Sequence, residues 1–273
     1  MPPQTSAQKA AISNFVSITG ASDRTASKYL KNASYKLNEA IDAFFNANGG
    51  GSSGTSGGGS RDAQLEKLFD SLRNEKEDGK DTLGADSAMS YLQTLGVGLE
   101  DASLFLAVEL LQAPSIGEIS RAGFISGWKE AGVEAKTQAQ AAHLKSLVSL
   151  MTRERSLFRK VYRYAFVAGK EGDQRALSLE LALLYWDTLF KKPGQSWVGS
   201  YRKTDWLPEW TKFLQENWKR SVNRDMWNQT LEFAFKSMDD ETLGFWSEEG
   251  SWPGVIDQFV AWYKRKSEME VDA

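Results

Sequence analysis

Apolar residues in this chain recur mainly at three- and four-residue intervals, the period of a helix that buries one face. Leu65, Leu68, Phe69 and Leu72 form one such stripe, and Ala88, Tyr91, Leu92 and Leu95 form a second. The same spacing predicts helices over Leu104 to Leu111, Phe124 to Trp128, Ala139 to Met151 and Phe158 to Val167. It predicts four more over Leu177 to Phe190, Trp206 to Trp218, Met226 to Phe235 and Val255 to Tyr263. Two-residue alternation is hard to find and only six prolines interrupt the chain, so the expected fold is all-α.

Three shorter amphipathic runs precede these. The first carries Ala11, Ile12, Phe15 and Val16, the second Ala26, Tyr29 and Leu30, and the third Leu37, Ala40, Ile41, Phe44 and Phe45. Asp23 and Ser34 are the expected helix starts, which gives a small three-helix unit over 1–48. From Gly49 to Ser60, eleven of twelve residues are Gly or Ser, a composition that buries no apolar surface. Residues 49–61 are therefore expected to be a flexible linker with a root-mean-square span of roughly 20 Å. A larger helical domain is expected over 62–273.

Composition then removes whole classes of function. With 273 residues, a net charge of −3 and a pI near 5.5, the chain lacks the positive field that draws a protein to phosphates, so nucleic acid is not an expected partner. No run approaches the length of a membrane span and the N-terminus has no apolar leader segment, so no membrane association is expected. Cysteine is absent, which rules out disulfides, thiolate zinc sites and a thioester-forming nucleophile in this chain. Cytoplasm and nucleus are the expected location. The single histidine, His143, sits in a helical context without a companion and reads as structural. No Gly-rich phosphate loop is present, and the adjacent Glu248 and Glu249 read as a solvated turn rather than a catalytic pair. No catalytic residue and no cofactor are expected.

Two helix–loop–helix segments have the rhythm of calcium-binding EF-hands. With Leu83 at the apolar eighth position, the first loop offers Lys76, Asp78, Lys80 and Ser87 at ligand positions; the second, with Gly117 at position six, offers Gln112, Pro114, Ile116 and Gly123. A calcium loop needs several oxygen ligands and a bidentate Glu at its end. The expectation is EF-hand-like architecture without metal.

What remains is an aromatic and acidic C-terminal third. Nine of the ten tryptophans lie between Trp186 and Trp262, which implies either a densely packed helical core or a surface that holds another protein. Asp225, Glu248, Glu249 and Asp257 are interleaved with them. Asp257 lies in the first turn of a helix expected to open at Pro253, where the helix dipole favours a carboxylate. Paired with Asp225 at another helix start, it reads as part of an acidic docking patch.

Two resemblances sharpen this picture. Residues 8 to 47 resemble a ubiquitin-associated (UBA) domain, with Thr19-Gly20-Ala21 in place of the usual Met-Gly-aromatic loop and Phe44 and Phe45 at the apolar end of the third helix. That resemblance implies ubiquitin binding through Thr19, Gly20, Ala21, Phe44 and Phe45; the alternative is a three-helix module whose aromatics are all core. The second is carried by Leu181-Ala182-Leu183-Leu184-Tyr185-Trp186, by Arg220-Ser221-Val222-x-x-Asp225-x-Trp227-Asn228, and by Glu248-Glu249-Gly250-x-Trp252-Pro253-x-x-Ile256-Asp257-x-Phe259-Val260. In that order they resemble the potentiating-neddylation (PONY) domain of the defective-in-cullin-neddylation family, over residues 62 to 265.

The resemblance implies an all-helical fold with metal-free EF-hand-like pairs. It implies a scaffold-type ligase component that promotes attachment of a ubiquitin-like modifier to a cullin. An Asp-Ala-Asp patch for the cullin's C-terminal winged-helix region falls on Asp225, Ser251 and Asp257, with serine in place of alanine. A groove for the N-acetylated tail of the neddylation conjugating enzyme falls on Ala88, Leu104, Phe105, Ala107, Ile119 and Tyr185; for each of these residues, plain core is the competing role. The rival functional reading is a ubiquitin-binding adaptor that depends only on residues 8 to 47.

Overall fold

The computed structural model describes residues 22–33, 57–170, 172 and 174–271, together with 8, 11–12, 15–16, 35–36 and 40. By internal contacts the chain divides into two units, Met1–Gly57 and Gly58–Ala273. In the first, helix α1 (Asp23–Asn32) is capped by Ser22, whose Oγ accepts from the Thr25 amide. The cap is thus one residue earlier than the Asp23 start read from sequence. Ile12, Phe15, Ala26, Leu30 and Ala40 form a small core, with Phe15 stacked on Tyr29 at 6.3 Å. Ser34, Thr19, Gly20, Ala21, Phe44 and Phe45 lie outside the described residues.

The second unit is helical, as its periodicity requires. Helix α2 (Gly57–Leu72) begins inside the Gly/Ser run, so the expected linker loses its last residues to a helix held by Leu65 and Phe69, both fully buried. There follow α3 (Ala85–Thr94), α4 (Ala102–Leu110), α5 (Arg121–Glu130), α6 (Thr137–Met151) and α7 (Arg155–Ala168). Then come α8 (Leu179–Leu189), α9 (Trp206–Asn217), α10 (Arg224–Asp239) and α11 (Gly254–Val271). Helix α4 reads Ala-Ser-Leu-Phe-Leu-Ala-Val-Glu-Leu, apolar on every side, and lies in the middle of the unit against α6 and α7.

Two pairs of two-residue strands tie the helices together. β1 (Thr82–Leu83) pairs antiparallel with β2 (Ile119–Ser120), placing Leu83 opposite Ile119. These are the two eighth positions of the EF-hand-like loops. β3 (Ala176–Leu177) pairs in the same way with β4 (Val222–Asn223), Leu177 opposite Val222, and makes a second such pair that sequence reading did not resolve.

The first loop shows how this architecture closes on its own side chains. Asp78 Oδ2 accepts from the Asn74 amide at 2.7 Å and Oδ1 from the Gly84 amide at 2.8 Å. Burial works against the Asp78 charge, yet hydrogen bonds from Ser87 and from those two amides hold its pKa below the usual carboxylate range. Beside it, Arg121 at the start of α5 donates to Glu66, Asp70 and Asp81 at 2.6–2.8 Å and lies 4.5 Å over the Phe69 ring. Among the described residues no group of three or more His, Cys, Asp or Glu side chains is arranged to hold a metal ion.

The tryptophans resolve the choice left by composition. Trp186, Trp197, Trp206, Trp210 and Trp227 are fully buried, and only the flanking Trp218, Trp246, Trp252 and Trp262 are partly exposed. Trp227 stacks on Tyr162 at 4.4 Å and on Trp186 at 5.3 Å, and its N–H donates to the Tyr162 carbonyl at 2.9 Å. Most of the aromatic density is therefore core, whereas Asp225, Glu248 and Glu249 are exposed.

Candidate acidic docking site

Asp225 and Asp257 stand at the beginnings of two helices that share one aromatic seam. α10 starts where β4 ends: Asn223 Oδ1 accepts from the Met226 amide at 2.8 Å, and this cap fixes the turn that carries Asp225. Met226 and Trp227 are buried, so the helix cannot rotate without losing core, and the exposed Asp225 is presented by that constraint. α11 starts after Pro253, whose carbonyl accepts from the Ile256 amide at 2.8 Å. The proline thus precedes the helix instead of opening it. Val255, Ile256, Phe259 and Val260 point into the core and leave Asp257 half-buried at the edge.

Phe233, midway along α10, braces the start of α11. It meets Phe259 of α11 edge-on at 5.8 Å and Trp252 at 5.9 Å, which fixes the loop bearing Ser251 against both helices. Ser251 is exposed immediately before that tryptophan wedge. Asp225 lies eight residues before Phe233 on α10, about 12 Å along the axis at 1.5 Å per residue. Ser251 and Asp257 are thus braced as one piece and Asp225 is carried separately, at the far end of the same helix. Glu248 and Glu249 are exposed in the turn closed by the Gly250 amide donating to the Ser247 carbonyl at 2.9 Å.

A partner of Asp257 escaped sequence reasoning. The indole N–H of Trp246 donates to Asp257 Oδ1 at 2.9 Å, and Lys264 Nζ lies 4.7 Å from the centre of the Trp246 ring. No spacing rule signals an indole eleven residues upstream, because the contact depends on the path of the intervening loop.

A family described as cullin binding matches residues 139–262, from α6 into α11, and one described as a UBA-like domain matches residues 9–51. The chain is 43% identical to "Defective in cullin neddylation protein 1" of Pyricularia oryzae, over 99% of this chain and 100% of that protein. The chain belongs to the defective-in-cullin-neddylation family. The protein of the same name from Yarrowia lipolytica is 30% identical over 93% of this chain and 95% of its own length. The human "DCN1-like protein 4" is 27% identical over 68% of this chain and 59% of its own length. Asp225, Ser251 and Trp246 all lie within the cullin-binding match, as does Asp257.

The six residues that the family resemblance assigns to a groove are not spread over the surface. Ala88, Ala107 and Ile119 are buried, with Ile119 locked in the β1–β2 pair. Leu104 and Tyr185 keep 7% and 6% exposure, and Phe105 meets Tyr185 edge-on at 4.7 Å. All six belong to the main hydrophobic core, and within it Phe105 and Tyr185 are in direct ring contact.

Proposed function

We propose that this chain promotes cullin neddylation as a scaffold co-ligase, docking the basic C-terminal winged-helix region of a cullin on Asp225, Ser251 and Asp257. The observation that carries this reading is the presence of two carboxylates at helix starts whose following residues are locked in a common aromatic core. Asp225 is exposed, so its charge is open to a cation from outside. Desolvated charge pairs of this kind cost roughly 2–5 kcal/mol when one member is removed, and rim pairs govern association rate and salt dependence.

The chemistry follows from what the side chains are. With no cysteine the chain forms no thioester, so the reactive sulfur belongs to a partner, and in this reading the acceptor lysine is the cullin's. Its contribution is to raise their effective concentration by holding them together. In this reading the N-acetylated tail of the conjugating enzyme enters beside Leu104 and Tyr185, which keep the most exposure of the six, and Ala88, Phe105, Ala107 and Ile119 form the floor. Residues 9–51 would add a contact to ubiquitin or a ubiquitin-like modifier.

The test is calorimetry of the full chain against a cullin winged-helix region, with Asp225→Lys and Asp257→Asn variants. Asparagine keeps an oxygen for Trp246 and removes only the charge. The parent is expected to bind and each variant to bind more weakly while still melting cooperatively, with a Tm within a few degrees of the parent; variants that bind like the parent would sink the assignment.

A further inference from the structure

We propose that Trp246 is a positioning residue of the acidic dock: it fixes the Asp257 carboxylate and the Ser251 loop in register for a basic partner segment. This rests on the docking role of Asp257 given above. The loop runs from Asp240 to Pro253 between α10 and α11, and two tryptophans anchor its second half. Trp252 is one, wedged against Phe233 and Phe245. Trp246 is the other, through its hydrogen bond to Asp257. Between its start and Trp246 the chain is not relaxed. Buried Leu243 sits at φ 58°, a conformation a branched side chain rarely adopts, held by Asp240 Oδ1 accepting from the Thr242 amide and by the Trp246 amide donating to the Leu243 carbonyl.

The partner chosen by this indole sets it apart. Trp128, Trp186, Trp197 and Trp227 donate to neutral oxygens of Tyr91, Tyr162, Ser237 and the Tyr162 backbone. Trp246 donates to a carboxylate. A neutral donor orients a carboxylate without cancelling its charge, whereas an arginine in the same place would neutralise it. Lys264, the nearby cation, rests on the indole face. The Asp257 carboxylate is therefore aimed in a fixed direction by a donor that brings no charge of its own, which is what a dock for a guanidinium or ammonium group requires.

The experiment is a double-mutant cycle read by calorimetry, with the full chain titrated by a cullin's basic winged-helix region. Trp246→Phe keeps a ring and removes the donor. It is expected to weaken binding about tenfold in the parent, and to leave the affinity of an Asp257→Ala background unchanged. Equal weakening in both backgrounds would show a merely structural role and overturn the proposal, as would no weakening in either. A second measurement needs no Trp246 variant: the Trp246 indole proton is expected to exchange slowly with solvent in the parent and quickly in Asp257→Ala, and equal exchange overturns the pairing. A parent that does not bind the cullin region removes the docking reading itself. A parent whose binding falls with Asp225→Lys and Asp257→Asn but not with Trp246→Phe removes only the role of Trp246.

Discussion

The two strand-linked pairs of this protein have the same frame and opposite uses of charge. Around β1–β2, the carboxylates are satisfied from within: Asp78 takes two backbone amides of its own loop, and Glu66, Asp70 and Asp81 converge on Arg121. Around β3–β4 and the helices that follow, Asp225 is exposed at a capped helix start and Asp257 meets only the neutral indole of Trp246 among the hydrogen bonds resolved. The first region uses acid to close a loop. The second leaves Asp225 open to solvent and Asp257 half-buried, which is how a chain of net charge −3 still presents a local docking surface.

The largest expected effect breaks the first region. Arg121→Met leaves three carboxylates facing one another around a side chain that is only 15% exposed. Because those carboxylates are themselves about half exposed, water screens part of the loss, and the expected cost is about 2–3 kcal/mol. For a unit of this size that is a fall in Tm of roughly 5–10 °C, measured by thermal denaturation. Cullin affinity is expected to stay at the parent value, since nothing at the acidic dock touches Arg121.

Asp225→Lys is the mirror experiment. Stability is expected to change by about 1 kcal/mol or less, from the loss of a favourable charge at the start of α10. Affinity for the cullin region is expected to fall on the order of thirtyfold or more, with a shallower dependence on salt in what remains. If stability fell and affinity held, the contrast between the two regions would be wrong. Asp78→Ala returns to the first region on a smaller scale. It strips the Asn74 and Gly84 amides of their acceptor and is expected to cost about 1–2 kcal/mol, read as a lower midpoint in urea.

How much of this was legible in the chain depends on length scale. Helices such as α7, with Phe158, Val161, Tyr162 and Ala165 on one face, repeat their signal over several turns and were readable. The strands were not, since two residues cannot display alternation, and Leu83 stood out only because a loop template placed it. Leu177 and Val222 had no such template. The tryptophan cluster left two readings open because density alone does not distinguish inside from outside; burial of Trp186, Trp197, Trp206, Trp210 and Trp227 decides it. Asp225 and Asp257 were visible as charges at helix starts. The Trp246 contact was not, because it spans a loop whose path follows from Leu243 and Trp252 packing rather than from any period.

Glu241 limits the contrast and gives its smallest test. It begins the same loop that carries Ser251, yet it is satisfied from within: Oε1 accepts from the Tyr201 and Arg202 amides at 2.7 and 2.6 Å, and Oε2 from the Thr204 amide and hydroxyl at 2.9 and 2.6 Å. Burial opposes its charge, but the Thr204 hydroxyl and the three amides prevail and draw its pKa from 4.5 down to about 2. A folded-state pKa below the unfolded one means stability that is complete above 4.5 and is lost as pH falls from there through 2. The difference in Tm between the parent and Glu241→Gln is therefore expected to be largest near neutrality and to shrink across that window. A difference that stays constant with pH would mean the carboxylate charge is not what pins the loop, and that the anchoring of the Ser251 segment rests on Trp246 and Trp252 alone.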